Sequence, residues 1–304
     1  MTRCLLCGER RGLIIHTGSD RLYGTTDERF TLARCVHCGL VRLDPPPADP
    51  AEFYPNGYWH EPSRLEEKYR KLVIGDHVRF ARRALPVPTR GEIIRVLDVG
   101  GGGGLFPAAM SAANPALKVV SLDVSPRAGA LARRRYGVAA IAADLHQAPF
   151  AAASFDLITM FHVLEHLPDP ICFLKAAHTL LKPGGKLVVQ VPNLDCWQYK
   201  VFGARWSGLD IPRHLYDFRL EDLRRLLGMT GFRLVRVKHF SWRDNTPGLA
   251  TTIAPGLDPV ARAVRGVGSR SALYLALTVA ALPFALLEAL FGHGASVMVE
   301  AVAA

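Results

Sequence analysis

The stretch Ile93-Ile-Arg-Val-Leu-Asp-Val99, running into Gly100-Gly-Gly-Gly-Gly104 and then Leu105-Phe106, decides the fold. Its short, β-branched apolar run predicts a buried strand, and the glycines let the chain turn tightly into a helix with its backbone open to a ligand. Working outward, residues 119–123, 138–142, 155–160 and 186–191 repeat the strand pattern. Helical stretches near 105–113, 126–136, 170–181 and 220–229 alternate with them. Alternation of this kind predicts an α/β fold, a doubly wound and mostly parallel sheet with helices on both faces. Ligands in such sheets sit outside the carboxyl ends of the strands.

Those ends carry acids in an order that suits a nucleoside. Asp123 closes the second strand 23 residues after Gly100, where a carboxylate can accept two hydrogen bonds from ribose hydroxyls. Asp144 follows the third strand, where a side chain can meet the amino edge of adenine.

The front of the chain has a different chemistry. Cys4-Leu-Leu-Cys7-Gly8 and Cys35-Val-His-Cys38-Gly39 each place two thiols on one tight turn, and two such turns can close a tetrahedral four-cysteine zinc site. Two disulfides are the competing reading, but residues 1–12 carry Arg3, Glu9, Arg10 and Arg11 without an apolar run, so export is not expected. A site with four protein ligands has no open position, which assigns the zinc to folding and not to catalysis. Cys172 and Cys196 stand outside this pattern.

Several motifs together resemble the class I S-adenosylmethionine-dependent methyltransferases. D-V-G-G-G-G-G (98–104) is similar to their first motif, F-D-L-I-T-M-F-H-V-L-E-H-L-P-D-P (155–170) to their fourth strand and following helix, and L-K-P-G-G-K-L-V-V-Q-V-P-N (181–193) to the turn into their fifth strand. The cysteine pairs and P-R-H-L-Y-D-F (212–218) resemble a bacterial subgroup in which a zinc ribbon precedes the methyltransferase domain, often acting on sugars or secondary metabolites. The resemblance implies a seven-stranded, mostly parallel Rossmann-like sheet with a small N-terminal zinc ribbon. It also implies that Asp98, Gly100, Gly102 and Gly104 hold the methionine part of S-adenosyl-L-methionine, Asp123 the ribose, and Asp144 with the backbone of Leu145 the adenine. His162 then lies near the sulfonium. A dinucleotide needs the glycine turn and the first acid alone, so Asp144 favours the methyl donor. An NAD-linked dehydrogenase and a non-catalytic zinc-ribbon binding module are the alternatives at this point.

Methyl transfer is an in-line displacement, and a base is required when the acceptor must lose a proton. His166, after the fourth strand, and His214, in the loop after the fifth, are the candidates. For each, a structural histidine bonded to backbone is the competing reading. Trp197, Trp206 and Tyr216 are candidates to line the acceptor pocket, with core packing as the alternative.

The sequence divides into a zinc-ribbon-like segment (1–43), a linker and capping helix (44–90), the cofactor-binding core (91–240) and an apolar helical insertion with a final strand (241–304). Within the second part, the aromatic stretch 53–60 precedes an amphipathic helix expected over 64–84, with Leu65, Tyr69, Leu72, Val73 and Phe80 on its apolar stripe. In the last part, residues 271–287 carry no charge and follow Arg262, Arg265 and Arg270. Residues 296–302 read as a final antiparallel strand at the sheet edge, which makes 271–291 a helical hairpin. Contact with an anionic membrane surface through 262–291, ordinary packing or a dimer face, and a true span are the three readings of that hairpin.

The 37 Lys and Arg against 27 Asp and Glu give a net charge of +10. The excess falls on 61–90 and 193–304, four charges each, with no basic run interleaved with aromatics, so a nucleic-acid partner is not expected. A small-molecule, sugar or lipid-linked glycan acceptor and a cytoplasmic enzyme peripheral to the membrane fit this distribution better.

Overall fold

The structure, a computed structural model, describes residues 1–55, 58, 64–87, 91–268 and 271–304. Asn56, Gly57, Trp59 and His60 of the aromatic stretch and Arg270 lie outside the described residues, as does the side chain of Leu65.

The front carries β1 (Gly12–Gly18), β2 (Phe30–Cys35) and β3 (Val41–Leu43), antiparallel in that order. Helices α1 (Arg64–Val73) and α2 (Gly75–Ala84) follow. The helix expected over 64–84 is interrupted at Ile74, just before Gly75, the residue whose helix cost is highest there, while Ile74 N still donates to Arg70 O at 3.0 Å and Val78 N to Ile74 O at 3.1 Å.

The alternating core runs β4 (Ile94–Val99), α3 (Leu105–Ala113), β5 (Leu117–Asp123), α4 (Pro126–Tyr136), β6 (Ala139–Ala142), β7 (Phe155–Phe161), α5 (Pro170–Leu180) and β8 (Leu181–Pro192). After α6 (Trp197–Phe202) and the two-residue β9 (Tyr216–Asp217) come α7 (Leu220–Met229) and β10 (Phe232–Lys238). The tail is α8 (Asn245–Ile253), α9 (Pro259–Val264), α10 (Ser271–Ala280), α11 (Leu282–Leu290) and β11 (Ser296–Ala303).

Seven strands form one sheet in the order β10-β11-β8-β7-β4-β5-β6. β11 alone runs against its neighbours, antiparallel to both β8 and β10. The final strand, expected at the edge, lies inside the sheet, and β10 takes the edge. Residues 296–301 are buried on both faces, as an interior strand requires, whereas β10 carries Arg233, Arg236 and Lys238, charges that suit an exposed edge. One face of the sheet packs Leu97, Ile158 and Leu187 with Phe173 and Leu223, and the other packs Val96, Leu157 and Val188 with Phe80 and Met110. Each such fully buried side chain contributes about 1.5–3 kcal/mol.

This topology places everything between β10 and β11 over the carboxyl edge of the sheet. β10 ends there and the antiparallel β11 begins there, so residues 239–295 leave and return on one side. The expected helical hairpin is instead one interrupted helix: Ala281 N donates to Leu277 O at 2.9 Å and Ala285 N to Ala281 O at 3.0 Å, which carries the helical ladder across the junction before Pro283. Residues Ala272–Leu290 are long and apolar enough to cross a membrane by length and composition, and 28% of that stretch is buried.

The front is joined to the core by pairing. β9 adds to β3 through Val41 opposite Asp217 and Arg42 opposite Tyr216, which makes a four-stranded sheet, β1-β2-β3-β9. Leu32, Val41 and Leu43 of the front pack with Leu194, Trp206, Leu209 and Leu215.

Candidate active site

Asp98 ends β4 and is buried, accepting from Thr159 Oγ1 at 2.6 Å. Burial pushes its carboxyl up to about 7 against the Thr159 hydrogen bond, and the nearby Asp123 charge adds to the rise. The turn that follows needs glycine. Gly100, Gly102 and Gly104 have φ of 71°, 53° and 84°, and a Cβ on Gly104 would stand 2.6 Å from Ala132 Cβ of α4. Asp123 ends β5 and accepts from Gly102 N at 2.9 Å and Ser125 N at 2.8 Å, which ties the acid to the glycine turn. Two residues after β6, Asp144 caps a short 3-10 turn whose first residue is the buried Leu145. The acids thus line the carboxyl ends of the adjacent parallel strands β4, β5 and β6.

His162 follows β7 with φ of 58°, a left-handed conformation that a non-glycine residue adopts when its surroundings fix it. Its Nδ1 lies 3.0 Å from Glu165 Oε1 and its Nε2 3.3 Å from Asp244 Oδ1. Burial pulls the imidazole down, but the Asp244 and Glu165 carboxylates outweigh it and raise it to about 9, so the ring is a cation at neutral pH. Asp244 is held further: Gln190 Nε2 and Ser241 Oγ both donate to its Oδ2 at 2.6 Å.

His166 and His214, far apart in sequence, are brought together with ring centroids 4.6 Å apart and planes at 70°. His214 Nδ1 donates to Gly208 O at 2.8 Å. Burial lowers this imidazole to about 4, helped by the facing His166, and leaves it neutral. His166 Nδ1 lies 3.0 Å from both Arg213 O and the Tyr54 hydroxyl. The loop that carries His214 is fixed by Arg213, which bonds Asp20 of the front through both Nη1 and Nη2 at 2.9 Å and Asp210 through Nε at 3.0 Å and Nη2 at 2.6 Å. Its guanidinium also stacks 4.4 Å from the Tyr23 ring centroid.

A cavity of about 250 Å³ opens beside these groups, lined among others by Leu22 of the front, His162, Trp206, His214, Asp244 and Tyr274. Of the three aromatic candidates for its wall, Trp206 lines it. Trp197 is instead stacked on Phe291 and Tyr216 on Phe218. The roof comes from α8 and Tyr274 of α10, which follows from the tail's return to the carboxyl edge.

The front cysteines converge as their spacing suggests. Cys4 and Cys38 sulfurs lie 3.4 Å apart and Cys7 and Cys35 sulfurs 3.5 Å, too far for a disulfide and close to the separation of about 3.8 Å across a tetrahedral zinc–thiolate centre. The four sulfurs lie within 4.8 Å of one another. Burial of Cys35 is overcome by amide hydrogen bonds from Cys38 and His37, which lower it to about 6, while burial raises Cys4 and Cys38.

Glu165, Asp244, Arg213, Asp210, Asp20 and Tyr54 are not singled out by sequence. Glu165 and Arg213 each sit next to a candidate histidine, which is the signal that could have found them. Asp20 and Asp244 have no local signature.

A family model described as a methyltransferase domain matches residues 65–237, more than half of the chain. The ubiquinone biosynthesis O-methyltransferase of Azotobacter vinelandii is 32% identical over 154 residues, 48% of this chain and 61% of that protein. That of Xanthomonas euvesicatoria is 33% identical over 175 residues, 52% and 72% respectively. The chain thus spans about three fifths of the first relative's length. The structure is similar to the phosphoethanolamine N-methyltransferase 2 of Haemonchus contortus, solved in complex with S-adenosyl-L-methionine, with a TM-score of 0.53, 18% identity, and coverage of 79% of this chain and 57% of the other.

Proposed function

The chain belongs to the methyltransferase-domain family, and from that premise we propose that it transfers the methyl group of S-adenosyl-L-methionine to an oxygen of a small hydroxyl-bearing acceptor. One observation carries this reading: His162, beside the glycine turn at the end of β7, lines the same cavity as His214. A donor laid along the carboxyl edge has Asp123 on its ribose, Asp144 and the Leu145 amide on its adenine, and Asp98 with Gly100, Gly102 and Gly104 around its methionine. Its methyl then faces the cavity. The acceptor oxygen attacks the methyl carbon in line, and the breaking S–C bond leaves its electron pair on sulfur, so alignment is the main task. His214, which lines the cavity, and His166, packed against it, form the acceptor-activating pair. The oxygen acceptor is supported by the names of the relatives, which are O-methyltransferases.

Cys4, Cys7, Cys35 and Cys38 hold a structural zinc in this reading, and a cytoplasmic setting belongs to the same proposal. Peripheral contact with an anionic lipid surface belongs to the same proposal. Leu275, Val279, Leu286, Leu287 and Leu290 are exposed on α10 and α11, and Arg262 and Arg265 precede them. A label-transfer assay with methyl-labelled donor, run separately against soluble sugars, lipid-linked glycans and phenolic extracts, tests the function. Label should enter one acceptor class with release of S-adenosylhomocysteine. Donor binding with label in no fraction would overturn it.

A further inference from the structure

We propose that Glu165, His166 and His214 bind a divalent transition-metal cation beside the acceptor cavity, which His214 lines, separate from the four-cysteine site. One donor atom from each of the three residues lies within 4.8 Å of the others, which is the spread a single ion can draw together. Glu165 and His214 are buried, and His166 is half-buried.

The hydrogen bonds of the two rings set which nitrogen faces inward. A backbone carbonyl can only accept, so His214 Nδ1 carries the hydrogen it donates to Gly208 O, and His166 Nδ1 carries the one it donates to Arg213 O. Each ring in its neutral form therefore presents an Nε2 lone pair. Fixing one ring nitrogen on a carbonyl so that the other is free to ligate is the usual arrangement of metal-bound histidine. Two histidines arranged this way, 4.6 Å apart and next to a carboxylate, are more than two packed side chains require.

The carboxylates point to the same conclusion. Glu165 Oε1 faces His162 Nδ1, but Glu165 Oε2 is buried without a hydrogen-bond partner. Asp217, whose buried carboxyl is raised by burial and by the charges of Glu165 and Asp210, has neither oxygen bonded. The nearby cations are already committed: Arg213 to Asp20 and Asp210, His162 to Glu165 and Asp244. Among the described residues no hydrogen-bond donor answers Glu165 Oε2, and a cation shared with the two imidazole Nε2 atoms would answer it. Two histidines and one carboxylate leave coordination positions open, which suits zinc, manganese, iron(II) or cobalt and not a closed structural site.

Of the three, His214 lines the cavity, which puts the site next to the acceptor. Resting on the function proposed above, the cation would take the acceptor's hydroxyl. A cation held by Glu165, His166 and His214 would lower the pKa of a hydroxyl bound to it, so the proton could be lost to solvent without a protein base. The histidines then act as ligands and not as the base.

The test uses the full chain with its four-cysteine site filled by zinc, titrated with Co2+ and followed by calorimetry and visible absorption. One further Co2+ per chain should bind, with ligand-field bands and no sulfur-to-cobalt charge transfer. His214→Ala and Glu165→Gln should each weaken that binding at least tenfold, and His166→Ala likewise, with zinc retention and far-ultraviolet dichroism unchanged. Absence of a second equivalent in the wild-type protein would overturn the proposal, as would sulfur charge transfer in its spectrum or undiminished binding in His214→Ala. Donor binding measured on the same samples separates the two claims: cobalt uptake without S-adenosyl-L-methionine binding sinks the methyltransferase reading and leaves the metal site standing.

Discussion

Replacing Arg213 by methionine tests how the front and the core are held together. The Arg213 guanidinium and the Asp20 carboxylate have side chains 1% and 0% exposed, and they meet through two bonds of 2.9 Å. Asp210 shares the same guanidinium. Methionine keeps much of the volume but strands the buried Asp20 carboxylate and the partly exposed Asp210, and breaking one side of a buried pair costs about 3–5 kcal/mol. For a chain of 304 residues that is a fall in unfolding temperature of roughly 5–8 °C. Thermal and urea unfolding of the two proteins measures it. The double variant Arg213→Met with Asp20→Asn should recover part of the loss, because one of the stranded charges is gone. A pH series adds an independent check. Burial works to raise Asp20, but the Arg213 hydrogen bonds and Thr25 hold it well below the ordinary 3.8. Its stabilisation is therefore present above the ordinary carboxylate range and is lost as pH falls below it. That acid dependence should shrink in Arg213→Met. A loss under about 1 kcal/mol, the size of a surface pair, would refute the reasoning.

Asp244→Asn should lower the His162 imidazole from about 9 toward or below 6.5, as read by its NMR titration, because the main charge that opposes burial is removed. His162 is raised in the folded protein, so its contribution to stability is full below 6.5 and is lost as pH rises through about 9, and the same Asp244→Asn substitution should flatten that alkaline decline. Metal analysis should find about one zinc per chain held by the ribbon sulfurs, lost in Cys35→Ser together with a lowered unfolding temperature. For the lipid surface, sedimentation with phosphatidylglycerol vesicles should retain the wild-type protein at low salt, and Leu275→Glu with Leu286→Glu should reduce that binding about tenfold or more; equal partition of both proteins would remove the proposal.

The parts of this molecule that local pattern encodes are legible in its sequence. Residues 93–104 place β4 and its turn, and the cysteine pairs place the front cluster, because each is a short segment whose chemistry is complete in itself. The positions of Asp123 and Asp144 are legible for the same reason, one closing β5 and the other two residues beyond β6. What escapes depends on partners distant in sequence. The position of β11 is decided by which strand can tolerate burial on both faces, and that is visible when 232–238 and 296–303 are compared with each other and not when either is read alone. The apolar tail reads as a hairpin because the final strand must return to the sheet, yet the whole of 239–295 makes that return, and Pro283 at the start of a helical turn costs little. Sequence offers His166 and His214 one by one as bases. That they face each other, with Glu165 beside them, requires the loop fixed by Asp20, which lies 193 residues from Arg213.

The central claim is that the carboxyl edge of this sheet binds S-adenosyl-L-methionine through Asp123, and titration calorimetry of the wild-type and Asp123→Ala proteins with that ligand tests it most directly. Two charge-assisted hydrogen bonds of about 1.5–3 kcal/mol each are at stake, so the substitution should weaken binding on the order of 100-fold or more, with NADH giving no heat in either protein. Undiminished binding in Asp123→Ala, or NADH binding in a protein that ignores S-adenosyl-L-methionine, would contradict the account.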